Sequence, residues 1–246
     1  MTGPYGEDLA FIHDAGFGEI AEAAADVLRA ELDAAGVTDG LIADLGCGSG
    51  ILSQAMAGLG FRVLGVDLSP DAIALARARV PGGTFREGSL LDARLPPCVA
   101  VASVGECINY LFDENHSGDA VRALFARVAP ALPVGGVFLF DAAARGRLPE
   151  PGCRQVHVRG DGWVVMVEEE EDEKRTTLTR ILTTFRADGE GRYRRAEETH
   201  RLRLLPRERV EGWLREAGFE VETGAAYGSR ELPPGVVTYL ARRAAG

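Results

Sequence analysis

The chain is predicted to be an α/β protein: a doubly wound, mostly parallel sheet of seven strands, with an inserted antiparallel sheet of three strands and an N-terminal helical lid. Three observations predict it. Apolar strand-like runs alternate with helix-spaced segments from residue 41 to residue 141, the rhythm of strand–helix–strand crossovers. The run Leu41–Gly50, LIADLGCGSG, carries an apolar strand through an acid into a glycine-rich turn. Between residues 152 and 205 the rhythm gives way to strand-like segments joined by turn residues.

Taken in order, Phe17–Ala35 has helical spacing in Ile20, Ala24, Val27, Leu28 and Leu32, and Gly36 supplies a stop. Strand one covers Leu41–Leu45, followed by a helix from Ile51 to Leu59 and a second strand, Arg62–Asp67. Ser69-Pro70 then opens a helix running to Ala78. Serine caps the free amides there, and proline at the first helical position needs no amide hydrogen. Strands follow at Thr84–Glu87, Val99–Val104 and Val137–Asp141, the last two separated by a helix over Asp119–Leu132. Trp163–Asp172, Thr176–Arg186 and Arg192–Leu205 are the three antiparallel strands, and Asp188-Gly189 marks a turn between the second and third. A helix, Pro206–Ala217, and strands Phe219–Thr223 and Val236–Ala241 resume the α/β pattern. The domain boundaries expected are 1–36 for the lid and first helix, 37–150 and 206–246 for the core, and 151–205 for the insertion.

Composition narrows the function. The 246 residues are 46% hydrophobic, ample for one core. No apolar run approaches the roughly 20 residues that span a bilayer, and MTGPYGEDLAF lacks the basic and apolar blocks of a signal peptide. A cytoplasmic protein with no membrane partner is expected. Cys47, Cys98, Cys107 and Cys153 form no CxxC pair, so reduced thiols are expected rather than a disulfide frame or a metal site. The net charge of −10 opposes a phosphate backbone at long range, which argues against a nucleic-acid partner and favours a small-molecule one. The acidic run Glu168–Glu173 reads as the solvated end of a strand.

The chemistry starts at the glycine turn. Gly46, Gly48 and Gly50 alternate before a helix, and glycine alone lets a ligand lie against bare backbone. Asp67 closes the neighbouring strand seventeen positions after Gly50, where a carboxylate can accept from both hydroxyls of a ribose. A dinucleotide fingerprint is G-x-G-x-x-G. Here the spacing is G-x-G-x-G behind Asp44, and a carboxylate beside the loop suits an ammonium group better than a pyrophosphate.

At these residues the sequence resembles the class I S-adenosylmethionine-dependent methyltransferases. Asp44, Leu45, Gly46, Cys47, Gly48, Ser49 and Gly50 match their first motif, and Asp67 in VLGVDLSPDAIALAR matches their second. The resemblance implies a Rossmann-like fold with S-adenosylmethionine as cofactor and S-adenosylhomocysteine as product. It implies that Asp44 orients the glycine loop or binds the methionine amino group, that Gly46, Cys47, Gly48 and Gly50 surround the amino-acid part, and that Asp67 grips the ribose beside Leu68 at the adenine. The family commonly places an acid after strand three to read the adenine edge. This chain has Gly88-Ser89-Leu90 there, so Ser89 and Leu90 take that place, with Asp92 competing.

The segment Val104–Glu114 leaves strand four where ligands collect in an open α/β sheet. Gly105 is a candidate for the sulfonium region, Glu106 for orienting an acceptor or taking a proton, and Asn109 and Tyr110 for the acceptor side. In the lid, Tyr5 and Phe17 are candidate acceptor contacts, and His13 is a second candidate base because imidazole titrates near neutrality. In the insertion, strand alternation separates Arg195, Glu197 and Thr199 from Glu198 and His200. Arg195 and His200 are candidate acceptor contacts if that sheet roofs the site, whereas a solvated or dimer-forming sheet leaves them out.

The reading is therefore a methyltransferase acting on N or O of a small molecule, as a monomer or homodimer. An NAD(P)-dependent oxidoreductase is disfavoured by the glycine spacing and by the lack of a Tyr-x-x-x-Lys pair. A module that binds the cofactor without transferring a methyl group is the remaining alternative.

Overall fold

The protein is described here from a computed structural model covering residues 5–148, 153–189 and 191–245. The expected start of the insertion at residue 151 lies outside the described residues. In chain order the elements are α1 (Glu7–Gly16), α2 (Glu19–Ala34), β1 (Leu41–Leu45), α3 (Ile51–Gly58), β2 (Arg62–Asp67), α4 (Pro70–Arg79) and β3 (Thr84–Glu87). After them come β4 (Ala100–Ser103), α5 (Gly118–Ala131), β5 (Val137–Ala143), β6 (Cys153–Gly160), β7 (Trp163–Glu171), β8 (Thr177–Ala187) and β9 (Tyr193–Arg203). The chain ends with α6 (Arg207–Glu216), β10 (Phe219–Gly224), the short pair β11 (Ala226–Tyr227) and β12 (Arg230–Glu231), and β13 (Val236–Arg243).

Seven strands form the main sheet in the order β10-β13-β5-β4-β1-β2-β3. All neighbours are parallel except β13, which runs antiparallel to both β5 and β10. β5 is buried at every position, as a strand covered on both faces must be. One face packs Phe125, Phe138, Phe140 and Leu214 against α5 and α6. The other packs Leu28, Ile42, Met56 and Ile73 against α2, α3 and α4. The chain order turns back between β1 and β4, which opens a crevice at their carboxyl ends.

Caps fix where the helices start. Ser69 Oγ accepts from the Ala72 amide at 3.1 Å with Pro70 in the first turn, as expected from the sequence. α5 begins one residue before expectation, since Ser117 Oγ takes the Ala120 amide at 3.0 Å.

The inserted sheet has four strands, β6-β7-β8-β9, where three were expected. β6 is an edge strand exposed along almost its whole length, and its apolar alternation is limited to Val156 and Val158. Its signal was the Asp161-Gly162 dipeptide between the paired residues Gly160 and Trp163, a two-residue hairpin loop. α1 packs against α4 on one side and against β6, β7 and β8 on the other, bridging the two sheets. Among the described residues no helix is long and apolar enough to cross a membrane.

Candidate active site

A cavity of about 810 Å³, counted to its mouth, lies over the carboxyl ends of β1, β2 and β4. Its floor is the glycine turn. Gly46 sits at φ +74°, and a Cβ there would come within 2.5 Å of Cys107 Sγ, so the close approach requires glycine. Gly48 sits at φ +51° with nothing within 4 Å of where a side chain would go, which leaves bare backbone facing the cavity. The Cys107 thiol donates to the Val104 carbonyl at 3.1 Å and lies 3.5 Å from the Gly46 carbonyl, tying the segment after β4 to the glycine turn.

Asp67 stands at the tip of β2. Its Oδ2 accepts from the Gly48 amide and its Oδ1 from the Ser69 amide, both at 2.8 Å. The carboxylate is therefore locked in orientation while each oxygen keeps further acceptor capacity. Burial pushes its pKa up, against the pull of those amides. A locked acid beside an open glycine backbone fits a ribose and an amino-acid chain lying side by side.

The far end of the cavity is lined by Leu90, Leu91, Asp113 and His116. The Ser89 hydroxyl donates to the Asp113 carboxylate and accepts from the Leu91 amide at 2.9 Å. Thus the segment after β4 places a carboxylate beside Ser89. His116 Nε2 lies 2.8 Å from the Ile108 carbonyl and so carries the proton, which leaves Nδ1 buried without a partner. Sequence reasoning missed Asp113, His116 and Cys107. Their signal was only their position downstream of strand four.

The structure brings Tyr5, His13, Gly46, Gly48, Asp67, Leu68, Leu90, Gly105 and Tyr110 to this one cavity. The other expected site residues lie off its wall. Asp44 is buried behind the turn, accepts from Ser53 Oγ at 2.7 Å, and has its pKa pushed up by burial to about 6. Cys47 is also buried, its sulfur in the space that Gly65 leaves free. Gly50, at φ +80°, opens α3 and packs on Ala76. Ser89 reaches the cavity only through Asp113.

Glu106 points away from the cavity into a buried charge cluster. Its carboxylate meets Arg180 at 2.7 Å and Arg147 at 3.5 Å, and both arginines also meet Glu169. Its backbone is held at φ +58° because Asp141 accepts the Gly105 amide at 2.9 Å and the Glu106 amide at 2.6 Å. Asp141 also takes the Tyr227 hydroxyl at 2.9 Å, and burial raises its pKa to about 6.

Asn109 is fully buried, and its amide is spent on backbone: Nδ2 to the Ala143 and Arg203 carbonyls, Oδ1 from the Ala143 amide. It clamps β9 to β5 and meets no acceptor side. Phe17 packs on Trp163 and stacks on His13. Arg195 is on the solvent face of β9, paired with Glu197. His200 is on the inner face, its ring against those of Tyr5, Tyr110 and Phe112. Among the proposed bases, burial lowers the His13 pKa, with Asp14 opposing.

Comparison with known proteins shows what this chain is similar to. Residues 42–136 match the methyltransferase domain family. A protein of Geobacillus sp. (strain WCH70) named putative methyltransferase is 28% identical over 193 residues, covering 73% of this chain and 74% of that one. Among solved structures, an S-adenosylmethionine-dependent methyltransferase from Clostridium acetobutylicum ATCC 824 superposes with a TM-score of 0.80 at 20% identity, over 96% of this chain and 98% of that one. The amino pentose methyltransferase of Micromonospora echinaspora, with S-adenosylmethionine bound, gives 0.73 at 21%, over 94% and 96%. The last two are likenesses of fold. The chain is thus similar to methyltransferases in sequence over residues 42–136 and to S-adenosylmethionine-dependent methyltransferases in fold over nearly its whole length.

Proposed function

We propose that this protein is a class I S-adenosylmethionine-dependent methyltransferase that methylates N or O of a small, uncharged or cationic acceptor, with an amine nitrogen the favoured atom. One observation carries the reading: the cavity joins the glycine turn and Asp67 to an aromatic end under the lid, and its described lining includes Asp67 and Asp113 but no lysine or arginine. Such a wall attracts an ammonium and repels carboxylates and phosphates. The fold shared with an amino pentose methyltransferase agrees with that preference.

In this reading Gly46 and Gly48 cradle the methionine portion, Asp67 holds the ribose hydroxyls, and Leu68, Leu90 and Leu91 flank the adenine. Asp113 reads the adenine amine in place of the missing acid. The bound cofactor supplies an electrophilic methyl on a sulfonium. The protein supplies approach geometry and exclusion of water, which account for much of the rate in an in-line displacement. Tyr5 and Tyr110 cover the acceptor end, their hydroxyls 2.9 Å apart. Burial, above all, pushes the Tyr110 pKa up to about 12, so it stays a neutral donor. Glu106 is a positioning residue, since its charge is committed to Arg180 and Arg147.

The test is calorimetric binding of S-adenosylmethionine followed by transfer of radiolabelled methyl to a panel of amino sugars, simple amines and their hydroxyl counterparts. Methylation of amines ahead of alcohols is expected. Transfer to anionic acceptors alone overturns the acceptor class.

A further inference from the structure

The inner face of the inserted sheet holds a buried histidine that the cofactor site does not use. His200 is 2% exposed, and its Nε2 lies 2.9 Å from Glu198 Oε2. Glu198 also accepts the Tyr5 amide at 2.9 Å and the Gly6 amide at 3.0 Å. A carboxylate gathering three N–H donors is an acceptor only, so the proton of His200 is on Nε2. Nδ1 is left as a lone pair, buried and without a partner. Burying such a group unpaired is costly unless something comes to use it.

Its position indicates what comes. The His200 ring centroid is 4.9 Å from that of Tyr5 and 5.6 Å from those of Tyr110 and Phe112, three rings that line the acceptor end of the cavity. Tyr5 is the member of this set that belongs to the N-terminal segment. It sits at φ +53°, an unfavourable backbone for a tyrosine. It is held there by Glu198 and by Ser69 Oγ, which donates to its carbonyl at 2.7 Å. The carboxylate that orients His200 is therefore the one that latches the lid.

We propose that His200, oriented by Glu198, is the general base of the methyl transfer, reached by the acceptor when the Tyr5 segment withdraws. This rests on the amine-methyltransferase reading above. The bound ammonium passes a proton to His200 Nδ1, and Glu198 balances the imidazolium. The freed lone pair forms the new N–C bond as the S–C bond breaks and its electron pair goes to sulfur, leaving a neutral thioether and a methylated ammonium. The arrangement of a base held by a second group is the one general-base sites use. The other charged or titratable groups around His200 are Arg180 on the paired strand β8, Tyr5 and His13 from the lid, and Tyr110 after β4. Arg180 is committed to Glu106 and Glu169, so Glu198 is the charge that addresses the ring.

Two measurements test this. In protein labelled with ¹⁵N-histidine, the chain's four histidines give four ring patterns, and His200→Gln assigns the one of interest. The neutral form of that ring is expected to carry its proton on Nε2; a neutral form with the proton on Nδ1 overturns the proposal. Kinetically, His200→Gln should lower kcat for amino-sugar methylation by about 100-fold or more. The ascending limb of the pH profile should vanish, while calorimetric affinity for S-adenosylmethionine stays within about twofold, since this ring is not part of the wall assigned to the cofactor. An unchanged kcat and pH profile in a folded variant overturns the proposal. A wild type that binds S-adenosylmethionine but methylates no amine in the panel strikes the acceptor reading instead, and the ring spectrum then decides the dyad alone.

Discussion

The cofactor wall and the roof of the cavity find partners for their polar groups in different ways. On the wall, Asp67 takes its two amides from Gly48 and Ser69, the latter its neighbour but one, and the former on the adjoining strand's turn. On the roof, Glu198 reaches back to residues 5 and 6, and Arg180 joins Glu106 across the two sheets. The wall is short-range backbone chemistry on a parallel sheet, whereas the roof is long-range side-chain chemistry between sheets. The first kind tolerates changes around it so long as its glycines and acid remain. The second fails if any one member is lost.

The largest test of that difference is Arg180→Met. Removing one member of a buried ion cluster leaves surplus charge behind, here Glu106 and Glu169 sharing the buried guanidinium of Arg147, at a cost of about 3–5 kcal/mol. The denaturant midpoint should fall accordingly. Adding Glu106→Gln to the same chain should return part of the loss, because one stranded charge is then gone. A single variant as stable as wild type would mean that the cluster is well hydrated and the two sheets are held by apolar contacts such as Trp163 and Leu202 instead.

Next in size is Asp67→Ala, which strikes the wall. Two charge-assisted hydrogen bonds to ribose hydroxyls contribute about 1.5–3 kcal/mol each, so calorimetric affinity for S-adenosylmethionine should fall 100-fold or more. Far-ultraviolet circular dichroism should be unchanged, since the sheet is held elsewhere. Unchanged affinity would break the assignment of the wall.

This contrast also explains what the sequence made legible. The wall was readable because a glycine turn and a strand-ending acid act through local backbone geometry. Seven strands and the principal helices followed from apolar runs punctuated by caps, and the Ser69-Pro70 start coincides with the observed cap. The roof was not readable, because neighbours such as Glu106 and Arg180 are far apart in the chain and each looks like an ordinary surface charge. Asn109 shows the same limit. Its type suits an acceptor contact as well as a backbone clamp, and only the register of Tyr110 against Leu202 makes it a clamp. β6 was hidden since an edge strand facing water has little alternation to display.

A third prediction concerns the base of the wall and depends on pH. Burial raises the Asp44 pKa to about 6, above the roughly 3.9 of an unfolded aspartate. The folded state therefore binds the extra proton between these values. Its contribution to stability is full below about pH 4 and is lost as pH rises through 6. The loss is at most about 3 kcal/mol at 1.36 per pKa unit. Asp44→Asn keeps an acceptor for the Ser53 hydroxyl but cannot titrate. Denaturant midpoints of the variant and wild type should therefore diverge between pH 4 and pH 6.5, in favour of the variant at the higher pH. A constant difference across that range would show that Asp44 stays ionised in the fold.

The smallest effect sharpens the boundary between wall and roof, where Asp113 belongs to the roof-side segment yet faces the adenine end. Asp113→Asn retains one acceptor oxygen toward the Ser89 hydroxyl and the adenine amine, so the loss should be about 1 kcal/mol, roughly fivefold in S-adenosylhomocysteine affinity. Affinity alone would not separate a lost contact from a shifted loop. Replacing adenine by hypoxanthine does, because its 6-oxygen accepts where the amine donates. Wild type should discriminate strongly against the hypoxanthine analogue, since two acceptors face each other. The asparagine amide can turn and donate, so discrimination should narrow in the variant even though its affinity for the adenine form has dropped. Equal discrimination in both proteins would place the adenine-reading group elsewhere, with the unpartnered Nδ1 of His116 next in line.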